Sequence, residues 1–195
     1  MGRYREKEKT KNKSIWGRRF FKKTPCRNKH REAEKVVKKA EKAPLNKKDL
    51  LTLLKKHPNF IGIFASDQLA KISIVKYPVY FIVNIDISKL PGSHWIAIRI
   101  DRSNVEIFDS LGFNPELWSF YPKIMFNFLK SYSFTHRFRI SNIYQSPKNF
   151  TCGLYCIFFI LYRNRFSFFD CCSKFTNKLS DNYPILKSLL LNYFR

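Results

Sequence analysis

The chain has 195 residues, enough for one globular domain with an ordinary core, and a 45% hydrophobic fraction with 20 Phe and 10 Tyr excludes a wholly disordered chain. Against 14 Asp and Glu stand 37 Lys and Arg, a formal net charge of +23 that exceeds what solubility needs and points to acidic partners, nucleic acid first. Five cysteines, at positions 26, 152, 156, 171 and 172, form an odd set without regular spacing, which excludes a small secreted disulfide scaffold and favours a reducing, intracellular setting.

The basic N-terminus shows no apolar h-region of a signal peptide. The longest apolar run, Cys152 to Tyr162, is too short for a bilayer core of about 30 Å, so no membrane span is expected. Residues 1–50 carry 19 basic and 6 acidic side chains, a net of +13, and residues 51–195 carry 18 and 8, a net of +10. Residues 1–44 read as a basic, disordered arm, with Arg18-Arg19 and Lys22-Lys23 as phosphate-binding or import clusters and a charged helix over Arg31 to Lys42 that forms only on binding. A folded domain is expected over 45–195.

Asn46 caps a first helix whose Leu50, Leu51, Leu53 and Leu54 form an apolar stripe before Pro58. Val79 to Asp86, His94 to Asp101 and Asn104 to Asp109 read as strands joined by short connections, hence antiparallel neighbours, which brings His94 and Asp109 to one edge of the sheet. Pro115 to Tyr132 has helical spacing divided at Pro122, and Arg137 to Tyr144 reads as a fourth strand. Cys152 to Tyr162 is apolar on every face, as a central buried helix would be, and Ser180 caps a last helix ending near Tyr193. The expected fold is α+β: a small, mainly antiparallel sheet packed on a buried helix that carries a cysteine at its N-terminus, with further helices segregated from the sheet.

A thiol at a helix N-terminus beside an imidazole is held as thiolate, and Cys152 has that helix position, with Gly153 leaving room for a substrate backbone. A cysteine opening an apolar helix is equally the pattern of a buried packing residue. His94, after Pro91-Gly92-Ser93, is placed to act as base, with His30, His57 and His136 as competitors; Asp109 is placed to accept the second imidazole N–H, with Asp101 and Glu106 as competitors. Gln145, seven residues before Cys152, has an amide able to donate to an oxyanion beside the Cys152 N–H. Cys156, one turn inside the helix, reads as core, and Cys171-Cys172 lack the partners of a zinc site.

These residues stand in a distinctive order: Asn59-Phe60-Ile61-Gly62, Ile82-Val83-Asn84, Pro91-Gly92-Ser93-His94-Trp95, Phe108-Asp109-Ser110-Leu111-Gly112, and Gln145-Ser146 through Cys152-Gly153-Leu154-Tyr155-Cys156. Over about Leu50 to Tyr162 the chain resembles the adenovirus-type maturation cysteine proteases, including those of large DNA viruses, virophages and Polinton-like elements, in the same broad group as proteases specific for ubiquitin-like proteins. The resemblance implies His94 as base, Asp109 as orienting acid, Gln145 as oxyanion donor and Cys152 as nucleophile of an endopeptidase that matures virion precursor proteins. It implies a monomer without cofactor or metal, activated by DNA, in the host nucleus, the viral factory and the virion. Asp109 stands where adenoviral enzymes have Glu, and no Cys lies between Trp95 and Thr151 to take a disulfide-linked activating peptide. Two other readings are a deconjugating protease for ubiquitin-like proteins and a non-enzymatic basic DNA-packaging protein.

Overall fold

The structure, a computed structural model, describes residues 27–112 and 121–195. Helix α1 (Arg27–Ala40) carries Ala33, Val36, Val37 and Ala40 on one stripe at helical spacing, and all four are buried against α2 (Lys47–Leu54), α4 (Cys152–Arg163) and α6 (Leu179–Tyr193). Glu41, just past α1, bonds Lys187 and Tyr183 of α6 at 2.8 Å each. The disordered arm expected over 1–44 therefore does not extend to residue 44. Residues 27–40 belong to the folded body, because a four-residue apolar stripe suffices to dock a helix whose other faces are lysine and glutamate; residues 1–26 lie outside the described ones. Asn46 caps α2 as expected: its Oδ1 accepts the Asp49 N–H (3.1 Å) while Asp49 Oδ2 accepts the Asn46 N–H (2.8 Å).

Five strands follow in spatial order equal to chain order: β1 (Phe60–Ala65), β2 (Val79–Asn84), β3 (Trp95–Ile100), β4 (Asn104–Phe108) and β5 (Arg137–Ile140). The central pairings β2–β3 and β3–β4 are antiparallel, as their short connections require, but β1–β2 and β4–β5 are parallel, so the sheet is mixed at both edges. The parallel additions need crossovers. One runs through a 3-10 helix (Ser66–Lys71), the other through α3 (Lys123–Lys130), which starts after Pro122 as expected. Positions 115–120 of the expected 115–132 helical region lie outside the described residues.

Alternation along the strands sends the two faces into two cores. Tyr80, Ile82, Ala97 and Phe108 face a layer of α1, α2, α4, α5 (Phe168–Cys172) and α6; Phe81, Val83, Ile96, Ile98, Val105 and Ile107 face the 3-10 helix and α3. The fold is α+β, and the sheet is covered on both faces instead of having all its helices on one. Helix α6 begins at Leu179, which puts Ser180 inside its first turn, with Lys178 at the N-cap position.

Two contacts set where α4 sits. Phe108, fully buried, stacks on Phe159 of α4 with ring centroids 4.8 Å apart. Glu106, two residues earlier on the same face and also fully buried, takes Arg163 bidentately (2.7 and 2.9 Å) together with Arg139 at 3.3 Å and Arg99 at 3.4 Å. Gly153 is used for packing, not for a substrate: a Cβ there would lie 3.1 Å from both Leu45 and Leu50, so its bareness lets α2 lie against α4. Removing one side of a buried ion cluster leaves the other charges uncompensated. Glu106→Ala should therefore lower the free energy of unfolding by about 3–5 kcal/mol, measured by urea denaturation; a loss under about 1 kcal/mol would mean the arginines rest on solvent instead.

Candidate active site

One end of the sheet collects the C-terminal ends of β1, β2, β4 and β5 and the start of β3. The register pairs Asn84 with Trp95 and Ala97 with Phe108, so His94 and Asp109, each one residue beyond its strand, arrive at this same end. His94 Nε2–H donates to Asp109 Oδ1 at 2.7 Å. Since a carboxylate only accepts, this bond puts a proton on Nε2 and leaves Nδ1 available to another partner, and Cys152 is a neighbour that favours the charged ring. Burial works against a charged imidazole here, yet the bonds to Asp109 and Cys152 and their negative charge outweigh it and raise the His94 pKa to about 9.

Asp109 is fully buried and remains ionised because its acceptor sites are filled. Oδ1 accepts the Leu111 N–H (2.9 Å) as well as His94, and Oδ2 accepts the Tyr121 hydroxyl. Burial pushes its pKa up, but His94 and these donors hold it below the ordinary carboxylate value. The same neighbourhood, burial first and the Asp109 charge second, pushes the Tyr121 phenol up and keeps it a donor. Backbone bonds fix the acid as well: the Asp109 N–H donates to Ser141 Oγ (2.9 Å), and Ser141 Oγ–H donates to the Asp109 carbonyl (2.8 Å). The turn after it closes with the Gly112 N–H on the Asp109 carbonyl at 3.1 Å. Gly112 has φ +85°, and a Cβ there would lie 2.4 Å from Ile143, so only glycine fits that corner.

Cys152 is the first residue of α4 and 7% exposed. Thr151, before it, makes no side-chain cap; its hydroxyl bonds Asn149 Oδ1 (2.8 Å), so the positive end of the α4 dipole is left directed at the start of the helix. Cys156, one turn further in, is buried among apolar side chains, and burial pushes its thiol well up, so it is placed as core.

Gln145 is buried beneath the loop leading to Cys152. Its Oε1 accepts the Ser110 hydroxyl (2.7 Å) and its Nε2 donates to the Asn149 carbonyl (2.9 Å). Tyr144, next to it, is anchored through its carbonyl by Tyr155 of α4 (2.9 Å) and Asn182 of α6 (3.1 Å). All four residues singled out from the sequence thus lie on segments that meet at one end of the sheet.

The competing candidates are elsewhere. His57, just before β1, and His136, just before β5 and bonded to the Asp101 carbonyl at 3.0 Å, sit at the opposite end of the sheet; His30 pairs with Glu34 on α1 at 3.3 Å. Asp101 caps the β3–β4 turn and bonds Arg99 at 2.6 Å, and Glu106 is held among arginines. Tyr121 and Ser141 went unremarked in the sequence, and Ser110 was given no role there beyond its place in a motif. Ser110 alone had a signal there, adjacency to the acid within a motif; the other two reach Asp109 only through the tertiary fold. Beside His94, Trp95, Gly92, Leu90, Ile87, Asp86 and Gln68 line a cavity of 240 Å³. Among the described residues, no group of three or more His, Cys, Asp or Glu could hold a metal ion, and no helix is long and apolar enough to cross a membrane.

No curated protein matches the chain. Among solved structures it is similar to the SUMO protease Ulp1 with its catalytic cysteine oxidised to a sulfinic acid, at 15% identity over 87% of this chain and 96% of that one, with a TM-score of 0.43. It is also similar to the C-terminal Ulp1 protease domain in complex with Smt3, the yeast ortholog of SUMO, at 14% identity over 86% and 94%, with a TM-score of 0.40. The adenovirus endoprotease family model matches residues 60–185, well over half of the chain and every strand described above. The chain belongs to the adenovirus endoprotease family and is a cysteine protease.

Proposed function

We propose that this protease is an endopeptidase for viral precursor proteins during virion maturation, with Cys152 as nucleophile, His94 as acid–base, Asp109 as orienting acid and Gln145 as oxyanion donor. The family match supports the reaction class. The observation that carries the residue assignment is the His94 imidazole bonded to buried Asp109 at the end of the sheet where Cys152 opens α4.

In this reading the Cys152 thiolate attacks the scissile carbonyl carbon. The oxyanion receives hydrogen bonds from the Cys152 N–H and from Gln145 Nε2, which has a second N–H besides the one given to Asn149. The His94 imidazolium protonates the departing amine, and the neutral ring then takes a proton from the water that releases the acyl-enzyme. A substrate segment beside the scissile bond would lie in the cavity at Trp95. Residues 1–26, with ten basic and two acidic side chains, and the lysines exposed on α1 and α2 are proposed to hold DNA, which would concentrate the enzyme and its precursors in the nucleus, the viral factory and the virion. The enzyme is proposed to act there as a monomer without metal or cofactor.

A panel of virion precursor peptides and C-terminally extended ubiquitin-like proteins tests the substrate class. Cleavage of the precursor peptides is expected; cleavage of the ubiquitin-like extensions alone would transfer the protein to the deconjugating class. With the best substrate, Cys152→Ala should abolish turnover and Cys156→Ala retain most of it, and the reverse result would move the nucleophile one turn inward.

The pH profile tests the His94 assignment. The imidazolium is the active form, so kcat/KM should fall as pH rises through about 9. Because that value lies above the ordinary 6.5, His94 protonation also contributes stability that is complete below about pH 6.5 and lost through about pH 9. Asp109→Asn removes the charge that raises the ring and leaves the burial that lowers it, so the alkaline limb should move to lower pH. Activity should rank Asp, Asn, then Ala at position 109, since the amide oxygen still accepts the imidazole N–H. An unmoved limb in Asp109→Asn would remove Asp109 from this role.

A further inference from the structure

We propose that Ser110 is a positioning residue for the reaction: its hydroxyl holds the Gln145 amide in the one orientation that turns an N–H toward the oxyanion. The inference rests on the Cys152 mechanism above and concerns a residue that touches neither His94 nor the proposed nucleophile in the structure.

An amide is nearly symmetric in shape, and a glutamine with no directed partners presents its oxygen as readily as its nitrogen. Oxygen facing a developing oxyanion would repel it. One contact removes that ambiguity and a second, from a hydroxyl that can rotate to donate, locks the result. The Asn149 carbonyl, 2.9 Å from Nε2, can only accept, so it demands the nitrogen; the Ser110 hydroxyl, 2.7 Å from Oε1, donates and holds the oxygen. Asn149 lies on the surface loop leading to Cys152, whereas Ser110 is 1% exposed and anchored in the sheet. Its carbonyl takes the N–H groups of both Tyr144 (2.8 Å) and Gln145 (2.9 Å), so main chain and side chain of Ser110 together fix the glutamine from Cα to amide. Asp109 and Ser110 thus form a two-residue unit at the end of β4. The first residue orients the imidazole, and the second orients the oxyanion donor.

Without the hydroxyl, Oε1 is a buried acceptor with no donor, and the amide is held only by the carbonyl of a surface loop. The loss then falls on stabilisation of the tetrahedral intermediate, not on substrate binding or on the thiolate. Steady-state hydrolysis of the best-cleaved peptide and alkylation of Cys152 by iodoacetamide, which forms no oxyanion, separate these terms. Ser110→Ala should lower kcat about tenfold, the worth of one neutral hydrogen bond, with KM and the alkylation rate unchanged. In a Gln145→Ala background, itself expected to lose roughly a hundredfold or more, Ser110→Ala should cost nothing further, because the two residues act as one unit. Ser110→Cys, close in size and a weak donor, carries the same test if the alanine variant does not fold, with alkylation at Cys152 read by peptide mapping. An unchanged kcat, an equal fall in the Gln145→Ala background, or a slowed alkylation would each overturn the proposal, the last two by showing that Ser110 acts through Asp109. If the wild-type protein neither hydrolyses peptides nor alkylates at Cys152, the protease mechanism itself fails and the inference falls with it; an active wild type indifferent to Ser110→Ala sinks this inference alone.

Discussion

A carboxylate taken fully out of water loses hydration worth several kcal/mol even after relaxation, and Asp109, with no exposed surface, must recover it from fixed partners. Those partners come from four places in the chain. His94 comes from the start of β3, the Leu111 N–H from the turn after β4, Tyr121 from just before α3, and Ser141, bonded to the main chain, from just past β5. None of these segments can shift without stranding part of a buried charge. Packing acts in the same direction, because Phe108, the preceding residue, is wedged by stacking on Phe159 of α4. The acid is thereby located against the sheet and against the helix that begins with Cys152.

Strand β4 and the residue just past its end supply two fully buried acids three residues apart. Their partners differ in kind. Glu106 meets three guanidinium groups, which never lose their protons near neutral pH, so its site is electrostatically fixed and suited only to holding secondary structure together. Asp109 meets an imidazole, a phenol and a backbone N–H, of which the imidazole can give up and regain a proton in the working range. One strand thus contributes a permanent anchor and a titratable pair.

Much of this was legible in the sequence because it depends on local constraints. The short links joining β2, β3 and β4 force antiparallel neighbours, and that topology alone brings His94 and Asp109 to the same end. Helix α4 was legible because a twelve-residue segment with ten buried residues has little choice but the centre of the fold. The parallel edges β1 and β5 were not, since their pairing depends on crossovers whose geometry leaves no local pattern. A charged helix was legible over Arg31 to Lys42, but its docking in the fold was concealed by composition: lysine and glutamate fill its exposed faces, and its apolar stripe is only four residues of alanine and valine. The purpose of Gly153 was misread for a related reason. A missing side chain looks the same in sequence whether a substrate or another helix fills the space, and here Leu45 and Leu50 fill it.

Helix α4 connects the two acids. Its first residue is Cys152 and its last is Arg163, separated by about 16 Å at 1.5 Å per residue. Arg163 lies where a cation complements the negative end of the helix dipole, and its fork on Glu106 ties that end to the middle of β4. The other end is uncapped by any side chain and is tied down by the Tyr155 hydroxyl on the Tyr144 carbonyl at 2.9 Å and by Gly153 lying against Leu45 and Leu50. The axial position of Cys152 is therefore held from both ends, by the bidentate ion pair at Arg163 and by these contacts near its start. At the start of the helix the Leu154 and Tyr155 N–H groups turn back to the Thr151 carbonyl, at 2.9 and 3.2 Å, which leaves the Cys152 and Gly153 amides at the positive end of the dipole, where an anion is stabilised.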